Sequence, residues 1–331
     1  MTSAARIGLG VATLYAAVLG AAFLSPYDPA AQHRDHPLAP PTRVHFVDRG
    51  GRLHLRPFVY ADADDGAKAY PIRFFARGVD EDGSIGSRRL FTVDPPAALF
   101  LAGTDELGRD QFSRLLYGGR VSLAAGLFAG ALALAIGLLL GCVAGFFGRW
   151  IDAGVMAASD VFMALPWLYL LLAIRAALPL DVGAGRALAS VVLVIGIAGW
   201  ARPARLVRGV VLSARTRDYV TAAAAAGASR TRMMRAHVLP EAFSVALTQA
   251  SILVPQYTLA EITLSFFGLG VGEPTPSWGT MINAMLRQEL SASHWWLAAP
   301  AAALVLVSLL YRAAADALQQ RTQPLPAGAW Q

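Results

Sequence analysis

The sequence predicts an all-α polytopic membrane protein: six transmembrane helices, N-in and C-in, with a small β-rich extracytoplasmic insertion between the first two. Three observations carry this. Of 331 residues, 56% are hydrophobic and 15% charged, where a soluble domain carries about 25% charge. The apolar residues are gathered into long blocks. The net charge of +6 comes almost wholly from arginines clustered beside those blocks, which fits membrane topology better than nucleic-acid binding. The single cysteine, Cys142, lies inside an apolar run, so no intramolecular disulfide is available to an external part.

Residues 1–27 supply the first span, Ile7–Leu24. A signal-peptide core runs roughly 7–15 residues; this run is longer, so a retained span is favoured over a cleaved leader. Ser25-Pro26-Tyr27-Asp28-Pro29 ends it, because proline does not continue a helix. Residues 28–102 hold no span. Their short runs RVHFVD, RLHLRPFVY, YPIRFFARG and RRLFTVD are separated by Arg49-Gly50-Gly51, Asp62–Gly66 and Asp80–Gly86, the pattern of short strands. Phe74, Phe75, Phe91 and Phe100 are candidates for a modest core. A segment of about 75 residues is marginal alone, so it is expected to lean on the membrane part or a partner.

Residues 103–318 form a five-helix core, followed by a tail, 319–331. Gly103–Leu123 is an amphipathic approach: Thr104 or Asp105 caps a helix, Phe112, Leu115 and Leu116 recur at helical spacing, and Arg109 and Arg114 lie off that face. Val121–Phe147 is the second span, its glycines and alanines allowing close helix packing. Ile151 to about Leu178 is the third, interrupted by Asp160 and Pro166. Ala187–Ala201 is the fourth, short for a hydrocarbon core of about 30 Å but able to run on past Trp200. Phe243–Gly272 is the fifth, broken by Pro255. Met281–Leu286 forms a short helix in the next loop, and Trp295–Tyr311 is the sixth span.

Between the fourth and fifth spans lie Arg202, Arg205, Arg208, Arg215, Arg217, Arg230, Arg232 and Arg235, with Asp218 the only acid before Glu241. Excess arginine marks the cytoplasmic side, which places the loop 215–240 inside. Six spans then leave both termini inside, in keeping with Arg6, Arg312 and Arg321, and residues 28–102 outside. Within the loop, Asp218–Pro240 reads DYVTAAAAAGASRTRMMRAHVLP. Asp218 is an N-cap candidate. Tyr219, Ala222, Ala223 and Ala226 share one helical face, small apart from one aromatic, so another protein can approach the backbone. Gly227 suits the left-handed position after a helix, and Ser229 can cap a second short helix. The pattern is helix, break, helix: a docking surface or, with equal weight on pattern alone, an alanine-rich interfacial linker.

This stretch resembles the EAA coupling loop of ABC importer permeases: the alanines, Gly227-Ala228 and Leu239-Pro240 fall at that motif's spacing. The wider YVTAAAAAGAS and HVLPEA are similar to the dipeptide/oligopeptide permease family, as are GTDELGRDQFSRLLYGGRVSL, WARPARLVRGVVLS and LSFFGLGVGEPTPSWGTMI; PYDP resembles that family's second permease subunit. The matches run in order from Ile7 to about Arg312, except roughly residues 40–100. The resemblance implies a permease subunit in the inner (plasma) membrane that forms half of a translocation path for peptides or similar small solutes. It implies a heterodimer with a second permease, two cytoplasmic ABC ATPase subunits docking on this loop, and an extracytoplasmic solute-binding protein.

No catalysis and no cofactor are expected of this chain, with ATP and magnesium bound by the ATPases. A phosphate loop needs G-x-x-x-x-G-K-S/T, and the only lysine, Lys68, stands in DDGAKAY. Two features depart from the family pattern. The motif's leading glutamate is Thr221 here; counted from Asp218 as cap, it sits where a glutamate would complete a capping box. The segment 40–100 is longer than in simple members, and is expected to touch the binding protein or the partner permease, or to be a passive insertion.

Asp160, Gln249, Gln256 and Glu261 fall within spans and should face the bundle interior, because polar groups are costly in lipid. Asp160 either borders the translocation path or pairs with an arginine such as Arg202, the second being favoured. Glu261 is structural or gating. Pro255 permits a hinge or fixes a static kink. Two other classes of function use the same residues: a passive channel through Gln249 and Gln256, and a membrane-embedded enzyme using Asp160 and Glu261. His33-x-x-His36 lacks the usual four-ligand set of a metal site, and Asp62, Asp64, Asp65 and Gly66 miss the calcium-loop spacing. No metal is expected.

Overall fold

The computed structural model describes residues 3–61, 68–79, 85–179, 182–287 and 292–322. Helix α1 (Ser3–Leu19) breaks at Gly20, and a one-turn piece, α2 (Ala21–Leu24), follows. The run expected as one first span is thus divided, leaving an apolar helix over Arg6–Leu19. Helix α3 (Gln111–Phe147) has 37 residues, about 55 Å at 1.5 Å per residue. The expected amphipathic approach and second span are one continuous helix. Its cap is neither Thr104 nor Asp105. Asp110 Oδ2 accepts the Ser113 amide at 2.8 Å and hydroxyl at 2.6 Å, satisfying an amide of the first turn.

Helices α4 (Arg149–Ala164) and α5 (Trp167–Ala176) meet at 91°. Leu165 between them is extended, because a residue preceding proline is pushed out of the helical region. Helices α6 (Ala184–Ala198) and α7 (Ala201–Arg215) meet at 44°. Short helices α8 (Asp218–Ala225) and α9 (Arg230–Met233) lead through a wide turn, Met234–Val238, into α10 (Leu239–Phe266). The bend in this last stretch, 41°, lies between Met234–Ala246 and Thr248–Phe266, well before Pro255. Thr248 and Ser251 give the reason: their hydroxyls bond the Ser244 and Thr248 carbonyls at 3.3 and 2.7 Å, and such back-bonding bends helices. Helix α11 (Trp278–Arg287) and a tight turn, Ala292–Ala298, precede α12 (Ala299–Thr322). Among the described residues, 2 helices are long and apolar enough to cross a membrane, or up to 5 spans if each bent pair is one.

The chain divides into two compact units, one of residues up to Gly10, Leu123–Leu264 and from Val307 on, the other of Val11–Ser122 and Ser265–Leu306. The first is built on glycines of α3. A β-carbon added to Gly126 would lie 1.9 Å from Thr258 Oγ1 on α10; one on Gly137 would lie 2.5 Å from Pro203, and one on Gly141 2.5 Å from the Ala204 carbonyl, both on α7. Only glycine lets these backbones approach so closely. Cys142, Phe146, Val207, Val211, Val238 and Ala242 fill the core beside this seam.

The second unit contains short antiparallel strands. β1 (His45–Val47), β2 (Leu53–Tyr60) and β3 (Ala69–Pro71) form one sheet in that order, with Val59 opposite Tyr70. β4 (Arg73–Phe74) pairs with β7 (Phe91–Thr92), and β5 (Arg77–Val79) with β6 (Ile85–Arg88). Val59, Tyr70, Ile72, Ala97 and Leu99 make its core, with Phe91 at the edge. Phe100 is buried, but Phe74 and Phe75 are not the expected core residues; both are exposed. Phe75 has φ +53, and this left-handed turn ends β4 after two residues, before a buried face can build up.

Candidate functional site

The polar stretch after α7 is assembled by local hydrogen bonds. The Val220 and Thr221 amides bond the Arg217 carbonyl at 3.0 and 3.1 Å. Arg217 therefore stands at the cap position, and Asp218, expected there, is the first helical residue, where its charge favours the positive helix end. The Thr221 hydroxyl donates to the Asp218 carbonyl at 2.9 Å. At the other end Gly227 has φ +80, and the Ala228 amide reaches back to the Ala223 carbonyl at 3.0 Å. This is a Schellman ending, which requires a left-handed residue at that point. Ser229 Oγ then accepts the Arg232 amide at 3.3 Å, starting α9.

The surface so formed matches the pattern in the sequence. Tyr219, Ala222 and Ala226 are exposed, Ala223 is half-buried, and Val220 turns inward. Leu239 and Pro240 are exposed at the start of α10. One residue escaped the sequence reading. Glu241 accepts the Tyr219 hydroxyl at 3.1 Å and pairs with Arg217 at 2.6 Å, while the His237 ring lies 5.8 Å from that of Tyr219. The exposed Tyr219 phenol is pushed above its ordinary value, by desolvation first and then by its bond to Glu241. The available signal was Glu241's place as the next acid after Asp218 in an arginine-rich run.

The polar residues within the helices are dispersed. Asp160 pairs with an arginine as expected, with Arg205 rather than the example Arg202, but its side chain is 67% exposed, so it does not face the interior of this chain's own bundle. The reason lies on α7: Arg205 turns toward α4, where its Nε also bonds Ser159 Oγ at 2.6 Å. Arg202 instead borders a cavity of about 170 Å³ with Trp167, Gln256 and Tyr257. Tyr257 donates to the Gly199 carbonyl at 3.0 Å and stacks on Trp167 at 6.0 Å. Gln249 and Pro255 are half-buried and Glu261 is fully buried.

A charged cluster in the second unit was also missed. Glu273 accepts Arg109 Nη1 and Arg114 Nη2, each at 2.7 Å, and Arg109 Nε bonds Asp105 at 2.7 Å. The two arginine side chains are 7% and 1% exposed, that of Glu273 45%. The cluster borders a cleft of about 790 Å³ that also includes Phe266, Phe267 and Arg287. Arg109 and Arg114 read as the polar side of an amphipathic approach because their partner lies 164 and 159 positions away. Among the described residues, no group of three or more His, Cys, Asp or Glu is placed to hold a metal ion. His33 and His36 pack their rings against Phe100, at 5.1 and 5.6 Å. Asp62–Gly66 lies outside the described residues.

Comparison with known proteins gives this geometry a family. The model of the binding-protein-dependent transport system inner membrane component matches residues 137–324. The chain belongs to that family. It is also 37% identical, over 70% of each chain, to the dipeptide transport system permease protein DppC of Bacillus subtilis (strain 168). It is 36% identical to the di/tripeptide transport system permease protein DppC of Pseudomonas aeruginosa (strain UCBPP-PA14), over 71% of this chain and 78% of that one. A chain of the MetNI methionine ABC transporter in an inward-facing form aligns at TM-score 0.48 and 19% identity, over 64% of this chain and 98% of that chain. The protein is thus a mostly helical permease component of a binding-protein-dependent transport system, placed in the inner membrane. The matched region of the permease includes α8, α9 and Leu239-Pro240; β1–β7 lie before it.

Proposed function

We propose that this permease forms half of the translocation path of an ATP-driven importer of peptides or similar small solutes. Two cytoplasmic ATPase subunits, which bind ATP and magnesium, drive it through Asp218, Tyr219, Thr221, Ala222, Ala223, Ala226, Gly227, Ala228, Leu239 and Pro240. A second, non-identical permease forms the other half of the path, and an extracytoplasmic binding protein delivers the solute. The chain crosses the membrane six times with both termini inside. α1 with α2, α3, each of the three bent pairs and α12 are the spans, and residues 28–102 lie outside, where they meet the binding protein or the second permease. Gln249, Pro255, Gln256 and Glu261 on α10 belong to the path or its gate; Asp160 holds α4 to α7.

The observation that carries this reading is the small-residue surface broken at a left-handed Gly227, in a sequence with no phosphate loop. The peptide class is supported by the relatives' names, dipeptide, di/tripeptide and oligopeptide permeases at 34–37% identity. Isolation of the tagged chain from membranes in mild detergent tests the assembly. Co-purification of an ABC ATPase and a second permease is expected, and absence of both overturns the reading. Uptake of labelled di- and oligopeptides by a deletion strain, with and without the restored gene, tests the solute.

A further inference from the structure

We propose that Glu241 is a positioning residue for energy coupling, the fastener that holds the first turn of α8 to the first turn of α10. This rests on reading the 218–240 surface as the ATPase contact. Among the described side chains of α8, Val220 alone is buried, so apolar burial gives the helix little hold on its surroundings. Glu241 adds a hold from the side. Its Oε1 takes the Arg217 guanidinium at 2.6 Å and its Oε2 the Tyr219 hydroxyl at 3.1 Å. The two donors flank Asp218, so both grip the start of the helix.

Glu241 itself lies where the wide turn Met234–Val238 runs on into α10, so its position is fixed by a continuous helical backbone. A displacement of the exposed face of α8 therefore reaches α10, the helix that carries Gln256 and Glu261, through the Glu241 carboxylate as well as along the connecting backbone. Position 221 does not compete for this work. The Thr221 hydroxyl is engaged with the Asp218 carbonyl and brings no charge.

The test uses the assembled transporter in lipid vesicles and reads solute moved per ATP hydrolysed. Glu241→Ala lowers that ratio by about fivefold, the scale of one exposed ion pair acting in a coupled network. Because the ratio is taken per ATP consumed, a residue needed only for folding leaves it unmoved. Glu241→Gln keeps an acceptor for Tyr219 and gives an intermediate ratio. The reversed pair, Arg217→Glu with Glu241→Arg, restores it. An unchanged ratio in assembled Glu241→Ala, or an assembled reversed pair that does not recover it, overturns the proposal. If the single variant does not assemble, the reversed pair decides alone; its failure to assemble counts against the proposal too, since the Arg217 and Glu241 side chains, 51% and 25% exposed, have room to exchange. If the wild-type chain retains no ATPase at all, the reading of the surface fails, and not the part given to Glu241.

Discussion

Glu273→Ala isolates a contact that only the folded chain contains. It removes two charge-assisted hydrogen bonds of 2.7 Å and leaves Arg109 and Arg114 to share one acid, Asp105. Asp105 lies 2.7 Å from Arg109 Nε but 3.8 Å from Arg114 Nε. Arg114 then keeps that longer approach to Asp105 and a neutral bond to the Pro29 carbonyl at 3.2 Å. Each lost bond contributes about 1.5–3 kcal/mol, and breaking a buried pair costs about 3–5 kcal/mol. The Glu273 side chain is 45% exposed, so water replaces part of what the carboxylate loses, and the lower end applies. We expect Glu273→Ala to destabilise the protein by about 3 kcal/mol and Glu273→Gln, which keeps a neutral acceptor, by about half that. Equilibrium unfolding in mixed micelles measures both. Hydrogen exchange should also rise in residues 268–277, the loop the cluster holds. A Glu273→Ala protein within about 0.5 kcal/mol of wild type, the range of an ordinary surface change, refutes the argument.

Three further outcomes follow from single contacts. Gly227→Val meets no neighbour, since nothing lies within 4 Å of its added β-carbon, so its effect is purely conformational, about 1–3 kcal/mol; we expect an inserted protein whose ATP hydrolysis is uncoupled from transport, and normal uptake would show that Gly227 is not the break. Gly126→Ala drives a β-carbon to 1.9 Å from Thr258 Oγ1 and should cost about 1–3 kcal/mol in the same unfolding assay, whereas Gly154→Ala, open on all sides, should gain about 0.5–1 kcal/mol. Burial raises the Asp110 carboxyl to about 6 from 3.8, against the lowering effect of its bonds to Ser113. Between those values the folded state holds a proton that the unfolded state has released, so this group's contribution to stability is greatest below pH about 4 and is lost as pH rises through about 6. Asp110→Asn keeps the cap acceptor, should flatten this profile, and should gain up to about 3 kcal/mol at pH 7; an unchanged pH profile in thermal unfolding would count against it.

Much of the membrane architecture was legible because it rests on local, one-dimensional signals. The apolar blocks gave the helices, and the arginine-flanked island gave the polar stretch between α7 and α10. The break and restart of that stretch, at Gly227 and Ser229, were legible for the same reason, while its N-cap moved by one residue, from Asp218 to Arg217. A left-handed glycine after a short alanine helix and a serine three residues before an amide are satisfied within one or two turns. What was misread depended on neighbours. Pro255 was read as the break of its helix, a hinge or a static kink, but hydroxyl bonds near Thr248 placed the bend about two turns earlier. Asp160 does pair with an arginine of the run that opens at Arg202, but which arginine, Arg205, was decided by the packing of α7 on α4. Phe74 and Phe75 looked like core, and a left-handed residue turned them out.

The sequence by itself determined that this chain is a helical inner-membrane permease with an arginine-flanked polar stretch between α7 and α10. Apolar run length, proline and glycine placement and arginine distribution act within a few residues and need no fold to express them. Only the tertiary structure decided which charges meet. Glu273 joins Arg109 and Arg114 from the far end of the chain, and Glu241 closes on Arg217 and Tyr219 across two short helices. A charge's partner is set by distance in space, and side chains far apart in sequence become neighbours only once the helices have packed.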